Sequence, residues 1–306
     1  MICAKEGKGI IALMKYFPEG LYRALGKLPL VELLKVEELR LGGGKPVVIF
    51  KDSRPFYLSC DGKLTLTSAE GVGVSGNQLC EIFRLLCDGS VYSMEESIKK
   101  GYITASGGHR VGICGSGVVR DGMVANIKDI SYLNIRIARE VIGSAECIID
   151  SITEGGLKNT LIVSPPGGGK TTLLRDICRI LGGSDSMPYK VGIADERGEI
   201  AGMYMGRPAN DVGTRTCVID GCSKAAAMDM LLRGMGLDVV VTDEIGGKED
   251  EQAIKNLIRC GVCVIASAHG RNREDIKRLP MIGKGGFENI IILERKRVRE
   301  MIRLDA

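Results

Sequence analysis

One short segment restricts the possible folds of this chain more than any other: residues 161–174 read LIVSPPGGGKTTLL. An apolar run, two prolines and three glycines lead directly into a lysine, two threonines and two leucines. This order is typical of a strand that ends in a Gly-rich turn and is followed by a helix beginning near Lys170. Several backbone N–H groups and the positive end of the helix dipole then converge on one point, which suits an anion.

The same segment fits the pattern GxxxxGK[ST], with Ser164 in place of the first glycine. We predict that the loop binds nucleotide phosphates: Lys170 reaches the β- and γ-phosphates, and the Thr171 hydroxyl is a ligand of Mg²⁺. A serine at the first position must avoid a positive φ, and the two prolines that follow are expected to hold the loop open. The predicted binding residues are Ser164, Pro165, Pro166, Gly167, Gly168, Gly169, Lys170, Thr171 and Thr172.

A second signal is the segment DVVVTDEIGG at residues 238–247. An apolar strand that ends in two acids is common in proteins and carries little meaning alone. Together with an upstream phosphate loop, it predicts Asp243 beside Mg²⁺ and Glu244 as the residue that orients and polarises the attacking water.

Polar residues also follow two other apolar runs. Asp195 ends the run VGIAD and is followed by Glu196, Arg197, Gly198 and Glu199, and His269 follows the run VCVIASA. Ligands of parallel sheets bind at the carboxyl ends of strands, so both groups are expected to face the phosphate site. An acidic, solvated turn and a helix-capping histidine are the alternative interpretations.

The second half of the chain alternates short apolar runs with helical stretches. The runs lie at 161–164, 191–195, 238–244, 262–268 and 289–294. This alternation predicts an α/β domain with a mostly parallel sheet that is covered on both faces. We assign residues 143–306 to it and residues 1–142 to a smaller α+β domain.

The first half carries no catalytic signature. It has a helical stretch near 77–87, followed by Gly-bounded runs that predict hairpins. The GGGK at 42–45 is predicted to be a turn, because Pro46 follows its lysine and prevents a normal helix start.

Composition excludes several other classes of protein. Hydrophobic residues make up 44% and charged residues 26%, which are ordinary globular values, and the net charge of +4 argues only weakly for a polyanionic partner. Eleven scattered cysteines, an odd number, predict reduced thiols rather than a disulfide framework, and the lone CxxC at 260–263 lacks a second pair for zinc. No apolar run approaches the roughly 20 residues of a membrane span, and the first residues do not make a convincing signal peptide. We therefore expect a soluble, intracellular protein without direct membrane insertion.

The order of these motifs, with MLLRGMGLDVVVTDEIG leading into the third, resembles the ATPases of type II and type IV secretion and pilus retraction. A more specific resemblance lies in GGHRVGI at 107–113, NIRIARE at 134–140, ADERGEIAG at 194–202 and GTRTCVIDGC at 213–222. These phrases are similar to the stage III sporulation AA family of endospore-forming bacteria, and the similarity runs from residue 37 onward. It implies a RecA-like P-loop motor that uses ATP and Mg²⁺ and assembles as a homo-oligomer, a hexamer. It further implies a place in the mother-cell cytoplasm, associated with the membrane through the membrane proteins of the sporulation stage III channel complex.

The resemblance also implies roles for single residues. Asp243 and Glu244 match the metal and water positions, and His269 matches a histidine that senses the γ-phosphate. Asp195, Glu196 and Glu199 match an acidic box, although the secretion ATPases have a slightly different run there. Individual roles within that box stay open.

Phosphoryl transfer also calls for an arginine, from the same chain or from a neighbour. Arg215 and Arg233 are candidates from their positions near strand and helix ends. Arg110, Arg136 and Arg139 are candidates by the resemblance, since secretion ATPases bring first-domain arginines to the nucleotide. The basic C-terminal segment at 294–303 is predicted to be a solvated turn and strand, because glutamates interrupt it.

Two other functions fit the same motifs. One is a scaffold that binds ATP to assemble a ring but turns it over little, and the presence of Glu244 and His269 argues against it. The other is a nucleic-acid translocase. Single-strand translocases stack bases on aromatic side chains, and from residue 141 onward the sequence offers only Tyr189, Tyr204 and Phe287. We therefore expect no nucleic-acid partner.

Overall fold

The computed structural model describes residues 6–87, 94–99, 101–120, 122–138, 141–270, 275 and 286–304. The chain divides into two compact units, residues 1–140 and residues 141–306. Each unit has a sheet of seven strands.

Unit 1 is built on an antiparallel sheet with helices α1 to α5. The helices are α1 Glu6–Met14, α2 Glu19–Lys27, α3 Leu30–Leu34, α4 Gly76–Leu86 and α5 Glu95–Lys99. The strands are β1 Val36–Gly42, β2 Lys45–Pro46, β3 Val48–Lys51, β4 Arg54–Leu58, β5 Leu64–Thr65, β6 Gly73–Val74, β7 Tyr102–Ala105, β8 His109–Arg120 and β9 Met123–Arg136, and a 3₁₀ turn covers Ser68–Glu70. The main sheet has the order β5-β4-β3-β1-β9-β8-β7, and β2 pairs with β6.

Local sequence explains the elements of unit 1 that were predicted. Helix α4 begins at a capping box in which Ser75 Oγ accepts from the Gln78 N–H and the Gln78 side chain accepts from the Ser75 N–H. Its apolar face, including Leu79 and Ile82, is buried. The GGGK segment is a turn between β1 and β2, in which Gly44 has a φ of 72°. Both predictions are confirmed.

Unit 2 is an α/β unit. Its strands are β10 Thr160–Ser164, β11 Val191–Asp195, β12 Met203–Tyr204, β13 Arg207–Pro208, β14 Thr216–Asp220, β15 Val239–Thr242, β16 Cys263–His269, β17 Asn289–Glu294 and β18 Arg297–Arg303. Its helices are α6 Ile149–Thr153, α7 Lys170–Gly183, α8 Lys224–Gly234 and α9 Lys248–Arg259. The main sheet has the order β14-β11-β15-β16-β10-β17-β18. All of its pairings are parallel except β17 with β18, so the prediction of a largely parallel sheet is confirmed.

Alternate residues of the central strands of this sheet pack into two different cores. In β15, Val239 and Val241 belong to the core beneath α7, whereas Val240 belongs to the core beneath α8 and α9. All three side chains are fully buried, which explains why the strand appears in the sequence as an uninterrupted apolar run. This double burial fixes the register of the strands, and therefore the positions of the residues that follow them.

Two further observations concern the whole described chain. Its cysteines are all free thiols, as predicted. Among the described residues, no helix combines the length and the apolar character needed to cross a membrane.

Candidate functional site

The Gly-rich loop at 165–169 connects the end of β10 to the first turn of α7. Gly167 and Gly169 have φ values of 71° and 96°, a left-handed conformation that glycine adopts without steric cost. No side-chain hydrogen bond caps α7 at Gly169. The first N–H groups of this helix are therefore available to an anion, together with the positive end of its dipole.

Ser164 fits this loop without strain. It is the last residue of β10, is fully buried and does not have a positive φ. Its Oγ donates a hydrogen bond to the Pro165 carbonyl at 3.0 Å. The steric restriction lies at Gly168, where an added Cβ would be 2.3 Å from Ser164 Oγ. The Ser164 side chain therefore occupies the space that a side chain at position 168 would need.

Lys170 is the first residue of α7 and is 5% exposed. Its Nζ donates to the carbonyls of Ser164 and Pro165 at 3.0 and 3.3 Å, and lies 3.1 Å from Nδ1 of His269. Burial lowers the pKa of Lys170, and the neighbouring Glu244 and Asp243 oppose this shift. The two acids favour the charged form of Lys170, and an ammonium group at this position can bind phosphate oxygens.

Asp243 directly follows β15 and is 2% exposed. Neither of its carboxylate oxygens has a hydrogen-bond partner among the described residues. Burial, reinforced by the charge of Asp195, raises the pKa of Asp243 to about 6. A buried carboxylate without partners fits a divalent cation, because Mg²⁺ prefers oxygen ligands and would neutralise this charge. Thr171, half-buried in the first turn of α7, has the hydroxyl that the phosphate-loop pattern requires.

Glu244 adopts a backbone conformation that is rare for a residue with a side chain, with a φ of 41°. Its N–H donates to Ser267 Oγ at 3.0 Å, and its carbonyl accepts from Lys224 Nζ at 3.3 Å. Its carboxylate Oε2 accepts from Arg197 at 2.7 Å, and Oε1 lies 3.1 Å from Nε2 of His269. These contacts hold the side chain beside His269 and Lys170.

The acidic segment after β11 forms a fixed turn. Asp195 is fully buried and accepts hydrogen bonds from the N–H groups of Glu199, Ile200 and Ala201. Arg175 on α7 donates to the carbonyls of Glu199 and Ile200, each at 2.7 Å. The carboxylate of Asp195 is therefore occupied by backbone groups of its own turn.

Glu196 has a different environment from Asp195. Its carboxylate forms an ion pair of 3.1 Å with Lys224, the first residue of α8. Through Lys224, which also contacts the Glu244 carbonyl, the acidic turn and the end of β15 are joined. Asp195 thus binds the backbone of its own turn, and Glu196 binds Lys224.

Two of the candidate arginines, Arg215 and Arg233, lie away from the phosphate loop of their own chain. Arg215 precedes β14, so it lies at the amino edge of the parallel sheet, about 15 Å from the carboxyl edge for a five-residue strand. Its guanidinium donates to the carbonyls of Ser184 and Met187. Arg233 is exposed in the last turn of α8, about 15 Å along the axis from Lys224. Neither arginine lies at the phosphate loop of its own chain.

The arginines of unit 1 are placed within that unit. Arg136 at the end of β9 is exposed and forms an ion pair of 3.5 Å with Glu38. Arg110 on β8 stacks over the Tyr102 ring, 3.8 Å from its centroid. The third candidate, Arg139, lies outside the described residues.

A cavity of about 430 Å³ lies beside the phosphate loop in unit 2. Gly169 and Thr172 line it on the side of α7, and Lys296 and Val298 line it on the side of the turn between β17 and β18. The Cα of Lys296 lies 3.5 Å from the position of a Cβ added to Gly169. The cavity is thus continuous with the start of α7.

Sequence reasoning missed Lys224 and Ser267, and it placed Arg197 in the group expected to face the phosphate site without giving it a role. Arg197 lies two residues beyond the carboxyl end of β11, so the strand-end rule that selected Asp195 applies equally to it. Lys224 follows the unpredicted strand β14, and Ser267 lies inside β16. No sequence signal marked those two positions.

The fold of the chain is similar to the folds of two solved proteins, an ATPase and a pilus retraction motor. The ATPase DotB of Legionella pneumophila is similar to it with a TM-score of 0.54 and 15% identity, over 89% of this chain and 74% of DotB. The pilus retraction motor PilT, solved with bound ADP, is similar with a TM-score of 0.57 and 13% identity, over 89% of this chain and 80% of PilT.

The sequence defines the family of the chain. Residues 13–303 match the family "Sporulation stage III, protein AA". The "Stage III sporulation protein AA" of Bacillus subtilis (strain 168) is 39% identical over 272 residues, which cover 88% of this chain and 85% of that protein. The chain belongs to this family, as its motifs indicated.

Proposed function

We propose that this protein is a Mg²⁺-dependent ATPase that works as a motor of the secretion type during endospore formation. The observation that carries the proposal is the convergence of four groups at one edge of the sheet in unit 2. These are the phosphate loop, Lys170, the unpartnered carboxylate of Asp243 and the carboxylate of Glu244. The nucleotide phosphates bind at the loop and at Lys170, and the adjoining cavity receives the nucleoside.

In the proposed reaction, water attacks the γ-phosphorus and the P–O bond to ADP breaks. Glu244 orients the water and accepts its proton, while Lys170 and the loop N–H groups stabilise the charge on the phosphate oxygens. His269, in contact with both Lys170 and Glu244, senses the γ-phosphate. Mg²⁺, when bound to Thr171 and Asp243, would neutralise charge on the β- and γ-phosphate oxygens.

The cellular role that we propose rests on the family and on the secretion-ATPase fold. Copies of the chain assemble into a hexameric ring in the mother-cell cytoplasm. The ring is held at the membrane by the membrane proteins of the sporulation stage III channel complex and acts on that channel. A nucleic acid is not part of this proposal.

A steady-state phosphate-release assay tests the activity. The wild-type chain should release phosphate from Mg²⁺–ATP. Glu244→Gln should bind ATP but lose about 100-fold or more of the rate, because an amide does not accept the proton of water. Lys170→Ala should bind ATP more weakly. Thr171→Ala should lose mainly the part of the ATP affinity that depends on Mg²⁺. Lys190→Ala, which changes an exposed lysine, is the control. Unchanged affinity in both loop variants would contradict the phosphate-loop assignment.

A scaffold that binds ATP with little turnover is the second candidate function. It is favoured by one observation: Oε2 of the Glu244 carboxylate accepts from Arg197, and Oε1 contacts His269. Tight ATP binding without phosphate release, including in the presence of the channel proteins, would support the scaffold over the motor.

A further inference from the structure

The carboxylate of Glu244 has a cationic partner that the proposed reaction leaves unused. Arg197 Nη1 donates to Oε2 at 2.7 Å, and Nε2 of His269 lies 3.1 Å from Oε1. A carboxylate that accepts a proton from water must offer one oxygen to that water. With these two contacts in place, each oxygen already has a partner.

The contacts around His269 define the direction of the hydrogen bonds. The Lys170 ammonium has only donors, so Nδ1 of His269, 3.1 Å away, accepts from it. Nε2 then carries the ring proton and donates to Glu244 Oε1. A chain of hydrogen bonds therefore runs from Lys170 through His269 to Glu244, and Arg197 closes it at the other end.

Arg197 lies on the turn that Asp195 and Arg175 fix. The Gly198 N–H donates to the Asp195 carbonyl at 3.1 Å, and Gly198 has a φ of 66°. The side chain of Arg197 is 53% exposed, whereas that of Glu244 is 24% exposed. A rigid backbone thus carries an arginine whose long side chain extends from solvent to Glu244.

An ion pair this exposed contributes little to stability, so a stronger anion can displace it. The terminal phosphate of a nucleoside triphosphate is such an anion, since it carries more charge than one carboxylate and matches the planar guanidinium. Lys170, linked to Arg197 through His269 and Glu244, is already assigned to the phosphates. A γ-phosphate bound there would compete with Glu244 for Arg197.

We propose that Arg197 holds Glu244 through this ion pair and moves to the terminal phosphate when a nucleoside triphosphate binds. The transfer frees Oε2 of Glu244 to accept the proton of the attacking water. ADP lacks the terminal phosphate and leaves the ion pair in place. This inference rests on the proposed function.

The test is a double-mutant cycle on equilibrium binding of ADP and of a non-hydrolysable ATP analogue to the full-length chain. Arg197→Gln should weaken binding of the analogue about tenfold, which corresponds to the loss of one charge-assisted hydrogen bond. The affinity for ADP should not change. Glu244→Gln removes the competing anion, so it should strengthen binding of the analogue about threefold. When Arg197 is already replaced by Gln, Glu244→Gln should not change the affinity for the analogue. Arg197→Lys, which keeps the charge, should restore part of the affinity.

Arg259→Gln, an exposed arginine at the end of α9, is the matched control and should bind both nucleotides like the wild-type chain. Thermal unfolding of each variant in the absence of nucleotide separates a folding defect from a binding effect. The proposal is overturned if Arg197→Gln weakens the binding of ADP and of the analogue equally. It is also overturned if the effects of the two substitutions on analogue affinity are additive in the double variant. If the wild-type chain binds neither nucleotide, the proposed function itself fails.

Discussion

At the scale of single residues, Asp243 and Asp195 show how two buried acids after neighbouring strands acquire different properties. Three backbone N–H groups satisfy Asp195, whereas Asp243 has no hydrogen-bond partner among the described residues. Burying a carboxylate without a partner destabilises a fold. The buried carboxylate of Asp243 therefore destabilises the fold, and a cation that binds to it during function would neutralise its charge.

The raised pKa of Asp243 predicts how the stability of the fold depends on pH. Folding raises its pKa from 3.8 to about 6, so between these values the folded chain holds a proton that the unfolded chain has lost. Stability falls as the pH rises through this window, by about 3 kcal/mol at most for a shift of this size. Asp243→Asn should thus raise the melting temperature in metal-free buffer at pH 8, and the gain should shrink toward pH 4.

The exposed Asp185→Asn is the control and should change the melting temperature little at either pH. Asp243→Asn should also lose the Mg²⁺-dependent part of nucleotide binding. If the variant is less stable than the wild-type chain at pH 8, the buried carboxylate has a partner that the structure does not describe.

At the scale of elements, the packing against α7 explains the glycine of the GTRT segment, Gly213. Gly213 has a φ of 92°, and a Cβ added to it would lie 2.6 Å from the carbonyl carbon of Gly182 in α7. The Arg215 N–H donates to the Gly182 carbonyl at 2.9 Å. The segment before β14 is therefore a close backbone contact with the end of α7.

We expect Gly213→Ala to destabilise the protein by about 2–4 kcal/mol, since it combines an unfavourable φ with overpacking against backbone. Gly236→Ala is the matched comparison, because Gly236 also has a positive φ of 55° but has no atom within 4 Å of the added Cβ. That variant should cost about 1–2 kcal/mol. Chemical denaturation of both variants measures the difference; equal losses would mean that the contact with α7 does not matter.

The same elements show what the sequence could predict. The strand–loop–helix at 160–183 and the strand before Asp243 are local patterns, and the structure has both. Strand β14 was missed because it is an edge strand, half-buried, and lacks a continuous apolar run. Without it, the sheet order was unknown, and Arg215 could not be assigned to the amino edge. The residue-level roles proposed for the phosphate site depend on this order, not on spacing alone.

At the scale of the whole molecule, each unit has its own hydrophobic core and its own sheet. Within the described residues, Arg215 and Arg233 lie away from the phosphate loop of their own chain, whereas Arg197 contacts Glu244. Arg136 on unit 1 is exposed, and its ion pair of 3.5 Å with Glu38 is loose enough to exchange partners. A second arginine supplied by a neighbouring copy would make hydrolysis depend on assembly.

We therefore expect the specific ATPase activity to rise with protein concentration, in parallel with the oligomer fraction measured by sizing. Subunit mixing tests whether Arg136 acts across an interface. Arg136→Ala retains Glu244, and Glu244→Gln retains Arg136, so a mixed ring contains sites where one subunit gives the glutamate and its neighbour the arginine. Activity should return when inactive Arg136→Ala subunits are mixed with excess Glu244→Gln subunits. The double variant Arg136→Ala/Glu244→Gln, used as the excess partner, should restore none. If mixed oligomers form and no ATPase activity returns, Arg136 acts within its own chain or takes no part in hydrolysis.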